Sequence, residues 1–455
     1  MRSGGRTWRF VEIPRWGFLA ALVYAPWAFG STSPSGADFL ARALLALFGS
    51  WLVANLLDWR LPRVHPVPLL LIALLLAQGW TMTFNARAAF DTDFNRFFPL
   101  THNEALPASM DQKLSHARML LVTGLLGAFC LASDLVQERK WQSLLAATIG
   151  LGGTTLILYG FILRLLDIHM ILWRSDIPGN TWPFATYLYH GNAGAYINLV
   201  WPVAAAFAVL AFQRHAHIVP KALWVSAAAI SAAGIFVNAS KASTAIGSVL
   251  LLIVVCWAVY VLLRTRRTSK PLVGVLYTAI IGGALLAVAW SVGWDVSAER
   301  WSHLNAELAA NNSRLVVDRV CLAMLYDAGR WGFGPGAFAA VFPFYTLNLG
   351  NGVAGFWLYA HDDYLQTVIE WGSAGAALWG FLFFGGILAA LVPPFGRELS
   401  RTERALLMAA TVALVGVAFH AAVDFPLQIA SIQLYVVTFL GVAWGSRSWN
   451  AESSR

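Results

Sequence analysis

Apolar runs of membrane-spanning length dominate the chain. A helix needs roughly 20 apolar residues to cross a bilayer, and about twelve such runs can be read along the 455 residues. They cover about 16–33, 39–57, 66–84, 117–135, 141–163, 192–213, 222–239, 242–263, 272–293, 373–392, 405–423 and 427–446. The pattern predicts an all-α polytopic membrane protein with about 12 transmembrane helices.

Polar residues collect in the connections, of which the longest separates the ninth span from the tenth. Within this connection, residues 313–328 show helical periodicity behind Ser313 as N-cap. The Gly-rich stretch 329–338 then predicts an irregular turn. The chain therefore divides into three parts, namely spans 1–9 at 1–293, a large helical loop at 294–362, and spans 10–12 with a tail at 363–455.

Composition and charge agree with a membrane protein. The chain is 58% hydrophobic and 12% charged, whereas soluble chains are about half apolar and a quarter charged. The net charge of +8 could suggest nucleic acid. With the N-terminus in the cytoplasm, however, 19 of the 31 Lys and Arg residues fall on the cytoplasmic side, as the positive-inside rule requires. The charge therefore reflects topology and predicts no nucleic-acid partner.

The same count places both termini in the cytoplasm and the long loops outside. Residues 1–33 also resemble a signal peptide, with a basic start and small residues after the apolar part. We favour an uncleaved first span, because an even number of spans fits the charges. The three cysteines are scattered and predict neither a disulfide framework nor a zinc site.

Unusual polar residues near the span ends share the outer face in this topology. They are Asn192, Lys241, Arg314, His361, Asp362, Asp363, His420 and Asp424. Lys241 lies between two apolar runs, where a cation costs a few kcal/mol unless it snorkels or meets an anion. Arg314 opens a helix, where a cation opposes the dipole unless an anion is near or Asp318 pairs with it. Both residues are candidates for binding an anion.

His361 is the candidate base, since histidine titrates near neutrality and can accept a proton from a hydroxyl. Asp362 or Asp363 could orient its ring. The alternative is a structural cluster that caps the tenth span, for which Asp363 is suited. A metal site is disfavoured because consecutive ligands are sterically awkward and no second cluster is evident.

Three further ionisable residues are expected to play supporting roles. Glu370 lies on the same helix face as Asp363 and predicts hydrogen bonding within the bundle. His420 and Asp424 are four apart on one helix face and are expected to pair in support of the outer cavity. Weaker candidates of the same kind are Arg164, Arg174 and His190.

Together these residues provide two cations and one neutral-pKa base on a single membrane face. A polyprenyl-pyrophosphate sugar donor suits such a face, because its tail lies in lipid and its pyrophosphate lies at the interface. Fixed cations would neutralise the leaving group as the sugar–oxygen bond breaks, and a base would serve the acceptor hydroxyl.

Several segments resemble the superfamily of O-antigen ligases and O-antigen polymerases of the bacterial envelope. The segment "AHDDYLQTVIEWGSAGAALW" is similar to the family's histidine motif, and "NNSRLVVDRVCLAMLYDAGRWGFGPGAF" to its preceding arginine block. "NASKASTAIG" resembles the Ser-Arg-Gly segment of the middle spans, "YHGNAGAYINLVWPVA" an Asn-bearing span, and "FHAAVDFPLQIASI" the last pair of spans. The matches cover roughly 190–440, whereas the first 190 residues agree only in span pattern.

The resemblance implies a glycosyltransferase of the bacterial inner membrane that requires no metal or other cofactor. It would transfer a glycan from undecaprenyl pyrophosphate on the periplasmic face, with His361 as base and Arg314 on the pyrophosphate. Lys241 stands where the family usually has arginine, so it keeps the charge and loses the bidentate fork. Asp362 replaces the common asparagine and could raise the pKa of His361.

Three functions remain open at this point. A ligase would use a lipid A core sugar as acceptor, and a polymerase for O-antigen or exopolysaccharide would use a second lipid-linked repeat. We favour the ligase, because the long loop directly precedes His361. A transporter of lipid-linked glycan is the rival from another class, and it would place polar sites at broken helices near the midplane.

Overall fold

A computed structural model describes most of the chain. The described residues are 9–91, 93–94, 96–168, 170–175, 183–214, 216–264, 298–299, 301–303, 305–306, 314–352, 357–392 and 398–449. The structure is all-helical, with 76% helix and 3% strand. Nine of the described helices are long and apolar enough to cross a membrane, judged by length and composition.

The longer described helices are numbered here in chain order. They are α1 Glu12–Trp27, α2 Pro34–Leu57, α3 Pro66–Phe84, α4 Gln112–Leu135, α5 Arg139–Leu165, α6 His190–Gln213, α7 Ile218–Val237, α8 Lys241–Arg264, α9 Arg314–Ala328, α10 Phe338–Thr346, α11 Asp363–Leu391, α12 Arg401–Ala421 and α13 Ala430–Gly445. A π-helical turn, Thr148–Gly152, lies within α5. A short antiparallel hairpin, β1 Ala88–Asp91 and β2 Arg96–Pro99, pairs Ala88 with Pro99.

Eleven of the twelve predicted spans correspond to described helices. The ninth, 272–293, lies outside the described residues. Two of the eleven, α1 and α13, have 16 residues each and are shorter than the nine long apolar helices. The helix predicted at 313–328 is confirmed as α9, and its proposed cap Ser313 lies outside the described residues.

The consecutive spans α1–α8, and likewise α11–α13, run in opposite directions, so their ends collect at two ends of the bundle. The end we call the His361 end carries the starts of α4, α6, α8 and α11. There Thr186 bonds the carbonyl of Pro26, and Asn238 bonds that of His190. The Asp134 end carries the end of α4 and the start of α12, where Arg401 bonds the carbonyl of Gln213.

A buried ion cluster closes the Asp134 end. The fully buried Asp134 carboxylate accepts hydrogen bonds from Arg60 at 2.7 and 2.9 Å, from Arg15 at 3.2 Å and from Trp51 at 3.4 Å. Arg15 also pairs with Glu138 at 2.9 Å. Burying a carboxylate is costly unless opposite charges and hydrogen bonds compensate it. The cluster therefore connects α1, the α2–α3 connection and α4.

Helix α11 is broken at Gly372, whose φ of 66° and ψ of −178° are not helical. A turn of the loop region, the Gly-rich turn (329–336), lies across the break. A Cβ atom at Gly332 would come closer than 3.0 Å to the carbonyl of Glu370, so only glycine allows this approach.

The Gly-rich turn, together with the side chain of Gln78 in α3, satisfies the backbone groups that the break leaves free. The bonds join Phe333 N to Ile369 O, Gly334 N to Glu370 O, Ser373 N to Gly329 O, Ala374 N to Arg330 O, and Gln78 Nε2 to Trp371 O, at 2.7–3.1 Å. Irregular backbone within an apolar bundle persists only where protein pairs it in this way. The break was not predicted, although the tenth apolar run, 373–392, begins directly after it.

Candidate functional site

His361 immediately precedes α11 and lies in a partly open aromatic cleft. Its ring contacts Phe425 edge-on at a centroid distance of 4.5 Å, and Trp357 at 5.2 Å. The side chain is 21% exposed, so part of it is accessible. Its φ of 60° is in the left-handed region, which is unusual for a residue with a side chain.

The carboxylate partner of His361 is Asp424, at 3.1 Å from Nδ1 to Oδ1. This corrects the expectation that Asp362 or Asp363 orients the ring. Asp424 is 5% exposed and also accepts a hydrogen bond from the Tyr189 hydroxyl at 3.1 Å. When Nδ1 donates to a buried carboxylate, Nε2 is left to accept a proton.

His420 lies on the other side of the same carboxylate. Its Nε2 is 3.9 Å from Asp424 Oδ2, so the predicted pairing four residues apart is confirmed. Both side chains are buried at the end of α12. Asp424 nevertheless makes its shorter contact with His361, which gives it a more direct place in the site than the supporting role expected from the sequence.

Asp362, and not Asp363, is the N-cap of α11. Its Oδ1 accepts hydrogen bonds from Tyr364 N at 2.8 Å and Leu365 N at 3.0 Å, so the assignment of the cap to Asp363 is wrong. Burial raises the pKa of Asp362, and these two amide bonds lower it in part. Its carboxylate therefore serves the helix start.

Asp363 fixes the turn that carries Asp424. Its two carboxylate oxygens accept hydrogen bonds from Leu427 N and from Gln428 Nε2, both at 2.8 Å. These bonds hold the α12–α13 turn (422–429) against the start of α11. Asp363 therefore positions the partner of His361 from a distance.

A hydrogen-bonded chain connects the Gly-rich turn to His361. Gly336 N donates to Glu370 at 2.9 Å, and Gln366 donates to the other oxygen of Glu370 at 3.0 Å. The side-chain oxygen of Gln366 accepts from Ala360 N at 3.0 Å, next to His361. The prediction that Glu370 hydrogen-bonds within the bundle is confirmed.

Lys241 begins α8 at the same end of the bundle. The preceding residue Ser240 accepts a hydrogen bond from Ser243 N at 3.4 Å. Helix α6, which starts beside Asp424, also contacts the α7–α8 junction through the bond between Asn238 and His190. Asn192 is buried in the first turn of α6. The start of α6 thus lies between the His361 pair and the junction that carries Lys241.

Arg314 is the first residue of α9, and its side chain lies outside the described part. The body of α9 packs beside α11, where burial raises the pKa of the Cys321 thiol to about 12, with further contributions from Asp318 and Asp362. Arg314 precedes Cys321 by seven residues, which is about 10 Å along a helix. Its role on pyrophosphate stays a prediction.

Arg118 is a cation that the sequence analysis missed. It lies in α4, and its guanidinium donates to the side-chain oxygen of Gln428 in the α12–α13 turn. Its signal in the sequence is an arginine within the first two turns of an apolar run. Such a residue is indistinguishable in sequence from an ordinary loop charge, and only the fold brings it to the site.

Among the described residues, no group of three or more His, Cys, Asp or Glu side chains could hold a metal ion. The chain matches no protein-family model and no curated protein. What the fold and the site define is an all-helical protein with helices of membrane-spanning length and a His–Asp pair at one end of the bundle.

Proposed function

We propose that this protein is an inverting, metal-independent glycosyltransferase of the bacterial inner membrane. It moves a glycan from undecaprenyl pyrophosphate to an acceptor hydroxyl on the periplasmic face. The observation that carries the proposal is the contact of His361 Nδ1 with the buried Asp424 carboxylate at 3.1 Å, in a partly open cleft. Lys241 at the same end of the bundle supports it.

The proposed reaction begins with proton transfer. Asp424 accepts the hydrogen bond from Nδ1, so Nε2 of His361 takes the proton of the acceptor hydroxyl. Asp424 then stabilises the imidazolium that forms, as the carboxylate does in serine hydrolases. His361 afterwards releases this proton to water.

The acceptor oxygen forms its bond to the anomeric carbon as the bond from that carbon to the pyrophosphate oxygen breaks. Attack from the side opposite the leaving group inverts the anomeric centre. The electron pair of the breaking bond stays on undecaprenyl pyrophosphate. Lys241 and Arg314 neutralise this charge, because fixed cations stabilise charge that develops in the transition state.

The favoured reaction is that of an O-antigen ligase, with lipid A core as acceptor in lipopolysaccharide synthesis. A repeat-unit polymerase is the alternative. A deletion strain separates them, because loss of a ligase leaves free lipid A core beside polymerised lipid-linked glycan. Loss of a polymerase leaves core capped by single repeats.

A transporter is the second alternative, and the broken α11 is the observation that favours it. Transporters place broken helices at their binding sites, where the freed backbone coordinates substrate. Here the Gly-rich turn pairs that backbone at the break. The arrangement therefore supports a fixed scaffold more than a gate.

The test is glycan transfer in proteoliposomes that contain the purified protein, labelled donor and acceptor. We expect His361→Ala to lower the turnover number by about 10²–10⁴, the usual contribution of a general base. Asp424→Asn should lower it as well and shift the pH profile. His217→Ala, at the Asp134 end, is the control and should match wild type. Near-normal transfer by correctly inserted His361→Ala would refute the assignment, and movement of donor without transfer would favour the transporter.

A further inference from the structure

A groove between α4, α11 and α13 is separate from the cleft of His361. Its volume is about 270 Å³, close to the lower end of the roughly 300–1,000 Å³ of small-molecule pockets. Its walls are mostly apolar and include Val122, Leu125, Trp379, Phe383, Val436 and Leu440. The groove has the size and lining for one hydrocarbon chain.

The groove is deep enough to take the chain of a lipid from one leaflet of a bilayer. Its lining covers Arg118 to Leu125 on α4, Gln433 to Leu440 on α13, and Asp363 to Phe384 on both sides of the break in α11. Seven residues of helix correspond to about 10 Å and 21 residues to about 30 Å, whereas half of the hydrocarbon core is about 15 Å thick. A lipid of the leaflet at the His361 end would therefore place one acyl chain in the groove and its headgroup beside Arg118.

Arg118 is half-buried at this headgroup level. Within the described part of the chain, its guanidinium hydrogen-bonds to the neutral amide of Gln428 and forms no ion pair. The carboxylates of Asp363 and Glu370 also line the groove, and both oxygens of each already accept hydrogen bonds. The charge of Arg118 also acts on Asp363, but a guanidinium has five N–H donors, and those not bound to Gln428 can bind an anion such as a lipid phosphate.

Stacked aromatic side chains lie beside the base, and the nearer end of this stack senses the charge of Arg118. Tyr359 stacks on Phe425 at 4.7 Å, and Phe425 contacts His361. Burial raises the pKa of Tyr359, and the nearby charge of Arg118 lowers it. The groove lies on one side of the α12–α13 turn, next to Gln428. The start of α6, which leads to the junction that carries Lys241, lies on the other side, next to Asp424.

We propose that the α4–α11–α13 groove binds an acyl chain of the acceptor lipid and that Arg118 binds its phosphate. This inference rests on the proposed function, since the base takes its proton from the acceptor and the acceptor must lie beside His361. It assigns the acceptor to acylated, phosphate-bearing glycolipids such as lipid A core.

Gly380 allows the groove to be filled without disturbing the fold. It lines the groove, and a Cβ atom at this position would meet no other atom within 4 Å. Gly380→Leu should therefore occupy the space of the acyl chain. Gly49→Leu in α2 is the matched control, because that site is equally open and does not line the groove.

The first measurement is photo-crosslinking of the full-length protein in nanodiscs. The probes are phosphatidic acid and diacylglycerol that carry the same diazirine acyl chain, with labelled peptides identified by mass spectrometry. Phosphatidic acid should label α11 and α13, and Gly380→Leu but not Gly49→Leu should lower this labelling. Arg118→Gln should lower labelling by phosphatidic acid roughly tenfold, which is the effect of one charge-assisted hydrogen bond. Labelling by phosphatidic acid should then equal labelling by diacylglycerol. Labelling that neither substitution changes would refute a specific site.

The second measurement is competition against the phosphatidic acid probe, which requires no turnover. Purified lipid A core should displace the probe, and undecaprenyl pyrophosphate should not. Displacement by undecaprenyl pyrophosphate would assign the groove to the donor, and displacement by neither would assign it to bulk phospholipid. Either result overturns the inference. A protein that shows no glycan transfer can still bind the probe and release it to lipid A core. Failure of this inference is therefore distinguishable from failure of the proposed function.

Discussion

The crossing of the Gly-rich turn with the broken α11 should be very sensitive to a single methyl group. Gly332 has a φ of 80°, and a Cβ atom there would come closer than 3.0 Å to Glu370 O and Gly372 N. Both are backbone atoms, so no flexible side chain can move aside. Gly332→Ala must therefore separate the two segments by several tenths of an ångström.

The cost of Gly332→Ala has two parts. Overpacking of a close-packed site costs about 1–3 kcal/mol, and a left-handed conformation costs a residue with a Cβ about 1–2 kcal/mol. The two together give about 2–5 kcal/mol. Separation also lengthens the flanking bonds from Phe333 N and Gly334 N, each 2.9 Å.

Two other glycines separate these contributions. Gly336 has a φ of 76°, and its Cβ would lie 3.0 Å from the nearest atom, a side-chain carbon of Arg118. Gly336→Ala therefore tests mainly the conformational cost. Gly380→Ala tests neither, because its site in α11 is open, and alanine favours a helix.

The assay is thermal unfolding of the four proteins in the same detergent, followed by intrinsic fluorescence. The expected order of melting temperature is Gly380→Ala at or above wild type, then Gly336→Ala, then Gly332→Ala lowest. If Gly332→Ala melts at the temperature of Gly336→Ala, the close crossing is not present in the folded protein.

Three further predictions concern stability and turnover. Asp134→Asn should cost about 3–5 kcal/mol in unfolding experiments, because it leaves two arginines without their buried carboxylate. Partial burial lowers the pKa of His65, so the stability that neutral His65 contributes is lost as the pH falls. His65→Asn should therefore flatten the drop in melting temperature between about pH 7 and pH 5. The control His217→Asn should leave this drop unchanged. Gln366→Leu leaves Ala360 N without its acceptor, which should lower the free energy of unfolding by about 1–3 kcal/mol. Because Ala360 precedes His361, this substitution should also lower the turnover number and leave the KM for the donor unchanged.

The helices could be predicted because a run of apolar residues is a local property. Each of the eleven described spans follows from such a run. Their ends differ by up to six residues from the prediction, except that α11 begins ten residues before its run. The break at Gly372 could not be predicted, since a single glycine next to an apolar run is compatible with an unbroken helix. Its cause is the Gly-rich turn, about 40 residues upstream in the chain and adjacent only in the fold.

The site was predictable in its residue types and in the local pair of His420 and Asp424, and not in its pairings between distant segments. His361 stood out because no cap or packing role explained it, whereas its partner Asp424 is 63 residues away. Asp362 and Asp363 are both suited to cap a helix, and the extended backbone of Asp362, with a φ of −143°, decides between them. Arg118 reaches the site only through its contact with Gln428.

The backbone of His361 is left-handed, and contacts from three segments hold it in that conformation. A non-glycine residue in that region costs roughly 1–3 kcal/mol and persists only where its surroundings over-determine it. Gln366 fixes the preceding amide, and Glu370 connects Gln366 to the Gly-rich turn. Asp363 fixes the turn that carries Asp424. The polar groups around this helix start thus have structural roles that converge on one imidazole, which is the arrangement expected where strain serves to orient a reactive group.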